Sequence, residues 1–288
     1  MGKFSTFINR YFPYLGMVFI NQPSAKYRMR NRLEKKIVEG DSLSQKTGSQ
    51  SVVFFSCHKA GSSVGLKFLK LLAKENNLKH INYDGYITSV CLEKETLFNE
   101  SEFLDRAFYN RGYFFGCFRT FRNIPNIENY KIVLMLRDPR DVLVSHYYWV
   151  QNMNVIYNKR GIINRKTAKS STIDDYVLEV LERFKTTYQE YIDHLIGKNN
   201  VLFTKYENFL KDPKEWLKQV SIHTGLESSN ELMIRIGEGV KSRNDNKGEK
   251  KHHRKAQPGE HKLKLKEETI EKLNRELKEI LIKLDYQL

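Results

Sequence analysis

The sequence is poor in residues that cross-link a fold or carry it through a membrane. Its three cysteines, Cys57, Cys91 and Cys117, show no CxxC spacing, which argues against a disulfide framework or a zinc site. No run approaches the roughly 20 apolar residues of a spanning helix. The nearest candidate, residues 11–20, is short and contains Pro13. Because a secretory cleavage site is also lacking, a reduced, cytoplasmic setting is predicted.

Acidic residues are scarce relative to basic ones. The chain has 49 Lys and Arg against 34 Asp and Glu, a formal charge of +15. A field of this sign favours anionic partners such as nucleotides, sulfated or carboxylated glycans, membranes and nucleic acid. With 40% hydrophobic and 12% aromatic residues in 288, the chain is predicted to be globular, with one large domain.

The N-terminal 50 residues differ in composition from the remainder. We interpret residues 1–50 as a basic and aromatic extension with a linker, and residues 51–288 as the folded domain. The start, MGKFST, matches an N-myristoylation pattern. The basic and aromatic residues that follow, up to residue 36, indicate either peripheral contact with an anionic membrane or packing on the domain.

Strands alternate with helices through the predicted domain. Residues 52–55 form a short apolar run typical of a strand buried on both faces of a parallel sheet, and residues 131–136 form the clearest central strand. Alternation of this kind predicts an α/β fold in three layers, a central parallel sheet flanked by helices, with ligands at the carboxyl ends of the strands. Further strands are predicted at 80–83, 113–118 and 200–204, and helices at 102–109, 172–196 and 267–284.

Two of these strands run into segments suited to holding phosphate. Residues 59–63 form a small-residue turn that opens a helix, so backbone N–H groups, the helix dipole and Lys59 all favour an anion there. After the second strand, Asp138 and Pro139 supply a helix N-cap and a first helical residue. Two such segments predict a ligand with two separate anionic groups.

The same residues disfavour ATP chemistry and metal chemistry. No GxxxxGK[ST] loop occurs, no acidic metal-binding strand end is evident, and no cluster of metal ligands appears. A nucleotide kinase-like P-loop protein therefore stays only an alternative. A basic glycan- or nucleic-acid-binding module is the other alternative, because it would explain the charge of +15.

In order along the chain, these segments resemble the sulfotransferases that use 3'-phosphoadenosine 5'-phosphosulfate (PAPS). The turn at 59–63 is similar to that family's Lys-Ser-Gly-Thr-Thr loop, which cradles the phosphosulfate. Arg137 and Ser145, eight positions apart, match the family's Arg and Ser on the 3'-phosphate. The resemblance implies a P-loop NTPase-like fold and PAPS as donor, with adenosine 3',5'-bisphosphate (PAP) as product. It assigns the phosphosulfate to Lys59, Ala60, Gly61, Ser62 and Ser63.

Two weaker matches lie downstream. Tyr206 ends a strand and precedes Glu, as does a family tyrosine that contacts adenine, although a core tyrosine would look the same. Arg254 and Lys255 resemble the family's Arg-Lys-Gly loop over the 3'-phosphate, so residues 241–262 are predicted to form a basic cofactor lid. Here Ala256 replaces the glycine and His261 a tryptophan, and the alternative is a solvated run of charge.

The catalytic base is harder to assign. Where the cytosolic branch of the family carries Lys-Thr-His, this chain has Arg119 and Phe121, and a phenyl ring cannot accept a proton. Heparan-type branches use a carboxylate after the second strand, so Asp84 is the first candidate, with an Asp-Gly turn as the alternative. His80 and His146 are the other candidate bases.

The resemblance thus implies Lys59, Asp84 and Arg119 as catalytic residues, without a metal. The acceptor is expected to present a hydroxyl or an amine. Residues 152–171, basic and polar, are predicted to form an acceptor-side loop that favours an anionic or carbohydrate substrate, and a lipid is the other acceptor class considered. Nucleic acid is not expected as a partner.

Overall fold

A computed structural model describes residues 31–89, 97–152, 159–245 and 257–288. Its five strands are β1 Val52–Ser56, β2 Lys79–Ile81, β3 Tyr113–Phe118, β4 Lys131–Leu136 and β5 Val201–Lys205. They form one sheet in the order β2-β3-β1-β4-β5, and every neighbouring pair is parallel. The helices are α1 Arg32–Val38, α2 Ser62–Glu75, α3 Tyr83–Ser89, α4 Ser101–Ala107, α5 Pro139–Asn152, α6 Lys159–Ser170, α7 Ile173–His194, α8 Tyr206–Lys211, α9 Pro213–Thr224, α10 Asn230–Asp245, α11 Glu260–Lys264, α12 Glu267–Glu276 and α13 Lys278–Lys283.

Both faces of the sheet are covered, which confirms the predicted three-layer α/β architecture. Because side chains alternate along a strand, Phe54 enters one core and Phe55 the other. Helices α2, α9 and α10 pack on the first face, and helices α5, α7, α12 and α13 on the second. Burying each of these phenylalanines stabilises the fold by about 1.5 to 3 kcal/mol.

This topology opens a crevice at the carboxyl edge of the sheet. Strands β1 and β4 are neighbours, yet the helices that follow them, α2 and α5, lie on opposite faces. The two helix N-termini therefore flank one cleft, where ligands of open parallel sheets bind. On the other side of β4, Leu136 pairs with Lys205, so the end of β5 lies beside the β4 turn.

Two expectations about local structure were wrong. The predicted acceptor-side loop at 152–171 is helical over α6, because Ala168 packs into the core and Gln151 Nε2 donates to its carbonyl at 2.7 Å. The predicted closing helix at 267–284 divides into α12 and α13 at Leu277, whose φ of −103° and ψ of 6° interrupt the helix. Packing of the two short helices against the core outweighs the continuous apolar stripe.

The described part of the N-terminal extension is packed on the domain. Ile37 of α1 and Leu43 are buried in the core, and Glu34 Oε1 accepts a hydrogen bond from Asn82 N at 2.9 Å. The domain boundary at residue 50 stays a prediction. The predicted membrane contact of residues 1–36 lies mostly outside the described residues. Within the ranges described above, no helix is long and apolar enough to span a bilayer.

Candidate functional site

The loop after β1 reverses sharply before α2 begins. Lys59 and Gly61 both have left-handed backbone conformations, with φ of 67° and 88°. Gly61 is the N-cap of α2, and it contributes no side-chain hydrogen bond to the first turn. The first N–H groups of a 14-residue helix thus lie at the end of β1 with the positive end of its dipole. This is the geometry with which a helix N-terminus binds an anion.

Tyr206 packs directly on this loop. A Cβ atom added at Gly61 would lie 2.4 Å from Tyr206 Cδ2 and 2.8 Å from Cε2, so only glycine fits there. The Arg137 guanidinium lies 5.5 Å from the centroid of the same ring. Tyr206 therefore sits between the two predicted anion segments. It is 8% exposed, and its predicted contact with adenine stays a prediction.

Lys59 is influenced by the positive charges of Arg137 and Arg119. Burial, together with the charges of Arg137 and Arg119, lowers its pKa to about 8. Its Nζ is 5.6 Å from the centroid of the Trp149 ring. Cations held together in this way repel one another, and an anion placed among them would relieve the repulsion.

Arg137 carries unused hydrogen-bonding capacity. Its side chain is fully buried, and Nη2 donates to Gln257 O at 2.9 Å and to Asp141 Oδ2 at 3.3 Å. Its Nε and Nη1 are buried without a hydrogen-bond partner. Since an unpaired buried donor is costly, these two atoms are suited to an anionic ligand such as a phosphate.

A second layer of contacts holds the Arg137 turn from the far end of the chain. Asp141 accepts hydrogen bonds from Gly259 N at 2.8 Å, His261 N at 2.9 Å and His261 Nδ1 at 2.7 Å. Burial alone would raise the pKa of Asp141, but the bonds from His261 and the charge of Arg137 outweigh it and lower the pKa.

The remaining predicted cofactor residues are distributed around these groups. Ala60 and Ser62 are buried, Ser63 is exposed at the start of α2, and Ser145 is half-buried two turns into α5. Arg254 and Lys255 lie outside the described residues. The contact of Gln257 with Arg137 brings the end of the predicted lid range to the Arg137 turn.

Trp149, an aromatic residue beside Lys59, is absent from the predicted site residues. Trp149 follows Ser145 by one helical turn, so both face the same side of α5. Its ring is 39% exposed and contacts the ring of His58 at a centroid distance of 6.4 Å. The spacing of four from Ser145 was the available signal. Val64, the residue that follows the loop at 59–63, is buried in the core.

The first candidate base, Asp84, is buried in an ion pair. It lies in the first turn of α3, so the dipeptide with Gly85 is helical and not a turn. One carboxylate oxygen accepts from Arg119 N at 3.3 Å, and the other lies 3.5 Å from Arg122 Nη2. The contact with Arg119 connects Asp84 to the cations around Lys59.

The histidine candidates are engaged in hydrogen bonds. His80 Nε2 lies 2.8 Å from Gly116 O. His146 Nε2 lies 3.2 Å from Arg183 Nη2, and because arginine only donates, Nε2 is the acceptor. The proton of the neutral ring is therefore on Nδ1, which donates it to Tyr176 Oη. Burial, reinforced by the charge of Arg183, holds the pKa of His146 well below its usual range.

The last two features concern the packing of Phe121 and the capacity to bind a metal ion. The Phe121 ring stacks on His194 at 4.4 Å and lies 6.1 Å from Phe55, so it packs on a face of the sheet. In the part of the chain that the structure describes, no group of three or more His, Cys, Asp or Glu residues could hold a metal ion.

Comparison with known proteins relates these features to one family. A family model described as "Sulfotransferase domain" matches residues 123–285, more than half of the chain. The match contains the Arg137 turn and begins after the Lys59 loop. Among curated proteins, 3-alpha-hydroxysteroid sulfotransferase of Cavia porcellus is 28% identical over 96 residues, and Sulfotransferase 2A6 of Mus musculus is 27% identical over 96 residues. These matches cover 31% of this chain but only 29% and 30% of the respective relatives.

Solved structures of similar fold extend over most of the chain. Mouse sulfotransferase SULT7A1 complexed with PAP has a TM-score of 0.55 at 14% identity, covering 86% of this chain and 88% of that one. Retinol dehydratase in complex with androsterone and inactive cofactor PAP has a TM-score of 0.56 at 18% identity, covering 90% and 96%. At these identities the likeness shows the fold alone. The family match, however, spans more than half of the sequence, and the chain belongs to the sulfotransferase domain family.

Proposed function

We propose that this protein transfers the sulfuryl group of PAPS to a hydroxyl or amine of an acceptor. The observation that carries the proposal is the pair of unpartnered buried donors, Arg137 Nε and Nη1, beside the Lys59 loop. An anion bound by both segments would satisfy these donors and relieve the repulsion around Lys59. Family membership supports the same reading, and the PAP complexes of two proteins with this fold are consistent with it.

The two ends of the cofactor would be held by different segments. We assign the 5'-phosphosulfate to residues 59–63 and the 3'-phosphate to Arg137 and Ser145. Arg254 and Lys255 would add charge over the 3'-phosphate, since Gln257 next to them already contacts Arg137. Tyr206, between the two segments, would lie near the adenosine.

Charge stabilisation would be the main contribution of this chain to the reaction. As the acceptor oxygen bonds to sulfur and the bond from sulfur to the phosphate oxygen breaks, negative charge grows on that phosphate. Lys59 and Arg119 would stabilise this charge, and preorganised donors of this kind are each worth roughly 10²-fold or more. The proton of the acceptor hydroxyl goes to a base, which adds roughly 10²- to 10⁴-fold.

We propose Asp84 as that base. Its contact with Arg119 N connects it to the cations around Lys59. The carboxylate is paired with Arg122, and Asp84 would have to exchange that partner for the acceptor. Asp84→Asn should lower turnover at saturating PAPS by about 10²-fold while PAP binding stays unchanged. Unchanged turnover in Asp84→Asn would remove Asp84 from the mechanism.

The acceptor side would be shaped by Trp149 and α6. An exposed aromatic ring beside Lys59 suits a hydroxyl carried on an apolar ring or on a sugar face. Lys166 and Lys169 of α6 favour an acceptor that is also anionic. The name of one relative refers to a hydroxysteroid, and two solved structures of this fold hold androsterone or retinol.

A labelled-sulfate transfer screen with PAPS tests the proposed function. Sterols, retinoids, phenols, glycans, lipids and peptides are offered to the wild-type protein and to Lys59→Met as the control. Transfer to at least one class, lost in the variant, is expected. A wild-type protein that neither transfers sulfate nor binds PAP would contradict the proposal.

A further inference from the structure

Hydrogen bonds connect the turn that carries Arg137 to residues 285–287, which are far away in sequence. Because Leu136 pairs with Lys205, the β4 turn and the residues that follow β5 lie side by side. Glu207 Oε1 accepts a hydrogen bond from Asp138 N at 3.0 Å. Its other oxygen, Oε2, accepts from Tyr286 Oη at 3.0 Å. One carboxylate thus joins the Asp138 backbone, next to Arg137, to Tyr286.

A second connection runs through Arg140. This side chain is 3% exposed, and its Nε and Nη2 donate to the Asp138 carboxylate at 3.0 and 2.7 Å. Nη2 also donates to Gln287 O at 2.7 Å, and Nη1 donates to Asn274 Oδ1. Each of the three side-chain nitrogens of Arg140 therefore donates to an acceptor within the protein. We take Arg140 to stabilise the turn and not to bind the ligand.

The outer contact of residues 285–287 is of a different kind. Lys205 Nζ pairs with Asp285 Oδ2 at 2.9 Å, but the Asp285 side chain is fully exposed. Lys205 Nζ also lies 4.7 Å from the centroid of the Tyr286 ring. Since exposed ion pairs contribute little, the inner contacts of Tyr286 and Gln287 are the ones that fix the turn.

We infer that Tyr286 is a positioning residue for 3'-phosphate binding, acting through Glu207 on the turn that holds Arg137. A contact between a guanidinium and a phosphate is sensitive to small displacements of the backbone that carries the arginine, and fixing the Asp138 N–H holds that backbone in place. The inference rests on the proposed function, because it presumes that Arg137 binds the 3'-phosphate.

Tyr286→Phe tests it by removing the hydroxyl and keeping the ring over Lys205. The variant and the wild type are titrated calorimetrically with PAP and with adenosine 5'-phosphate, which lacks the 3'-phosphate. We expect the preference for PAP to fall about tenfold, while binding of adenosine 5'-phosphate changes less than twofold. At saturating PAPS, turnover should stay near the wild-type value.

Tyr113→Phe is the matched control. Its hydroxyl donates to Ser44 O at 2.6 Å from a buried tyrosine at the opposite end of the sheet. This variant should lose a similar amount of stability without any change in the preference for PAP. Equal weakening of both nucleotides by Tyr286→Phe, or an unchanged preference, would overturn the inference and leave a purely structural role.

A second variant covers a failure of Tyr286→Phe to fold. Glu207→Met removes both acceptor oxygens at a similar side-chain length, and it should show the same selective loss for PAP. If the wild type itself showed no preference for PAP, the proposed function would fail together with the inference. A preference for PAP that is present in the wild type and retained in both variants would contradict the inference and leave the proposed function unaffected.

Discussion

The loop after β1 and the turn after β4 are neighbours at the same sheet edge, but they are built differently. The backbone shape of the β1 loop is set locally, by two left-handed residues and a helix N-terminus within residues 57–62, although Tyr206 packs on it. The β4 turn depends on distant residues, because Gln257, His261 and Glu207 contact Arg137, Asp141 or Asp138. A candidate anion site can thus be formed largely by a local backbone segment, whereas a fixed guanidinium needs support from distant parts of the chain.

The largest expected effect comes from breaking the charge of the β1 loop. Lys59→Met should lower sulfate transfer at saturating PAPS by about 10²- to 10³-fold, because the leaving phosphate loses its nearest cation. PAP affinity should fall much less, since PAP lacks the sulfuryl group. Lys67→Met is the control, because Lys67 is an exposed lysine on α2, the helix that follows the loop, and it should leave turnover unchanged. A Lys59→Met protein within threefold of the wild-type turnover would contradict the assignment.

Breaking the β4 turn should affect binding more than turnover. Arg137→Lys keeps the charge but loses the planar fork, so we expect the Kd for PAP to rise about 10- to 100-fold. Isothermal titration measures the change. Turnover at saturating PAPS should fall less than in Lys59→Met. If the two variants showed the same balance of losses in affinity and turnover, the two segments would not have separate roles.

A smaller effect is expected on stability from the contact between the loop and Tyr206. Gly61→Ala places a methyl group against the Tyr206 ring in a left-handed backbone. We expect a loss of about 2 to 4 kcal/mol in the free energy of unfolding. Gly197→Ala has the same handedness, with φ of 85° and nothing within 4 Å of the added atom, so it should cost only about 1 to 2 kcal/mol. Equal losses in urea denaturation would show that Tyr206 does not press on the loop.

The smallest expected effect is a pH dependence of the β1 loop. With its pKa lowered to about 8, Lys59 is charged below this pH and loses its proton as the pH rises through it. PAP affinity should therefore fall severalfold between pH 7 and pH 9. In Lys59→Arg the dependence should disappear, because guanidinium stays charged. A dependence that persists in Lys59→Arg would have to come from another group.

The stability of the ligand-free protein should respond to the same proton with the opposite sign. Between about pH 8 and the ordinary lysine value of 10.5, the unfolded chain binds more protons at Lys59 than the folded chain does. The contribution of Lys59 to the free energy of unfolding therefore rises with pH in this window. Denaturation curves of the wild type and Lys59→Met, compared at pH 7 and pH 10, measure it.

The β1 loop and the strands could be predicted from the sequence because their signals are continuous. Buried runs such as residues 52–55 and 131–136 are strands in the structure, and the turn at 59–63 leads into α2. Arg137 and Ser145 were assigned from the family resemblance, on a spacing that lies within a single turn and helix, and their contact with the 3'-phosphate stays a prediction. Local order along the chain was sufficient for each of these elements.

What could not be predicted depends on contacts between distant segments. The packing of Tyr206 on Gly61, the bonds of Asp141 to His261 and the link from Glu207 to Tyr286 each join residues more than 70 positions apart. The α6 helix was missed because its charged residues obscure the apolar periodicity. Asp84 was correctly placed after β2, but its ion pair with Arg122 leaves no signal in the sequence.

The central claim is that two separate segments hold two anionic groups of one nucleotide. A calorimetric titration of the wild-type protein with PAP, adenosine 5'-phosphate and ATP tests it most directly. We predict that PAP binds about 100-fold more tightly than either of the others, because only PAP places a phosphate on Arg137. ATP binding as tight as PAP, or equal affinity for PAP and adenosine 5'-phosphate, would contradict the claim.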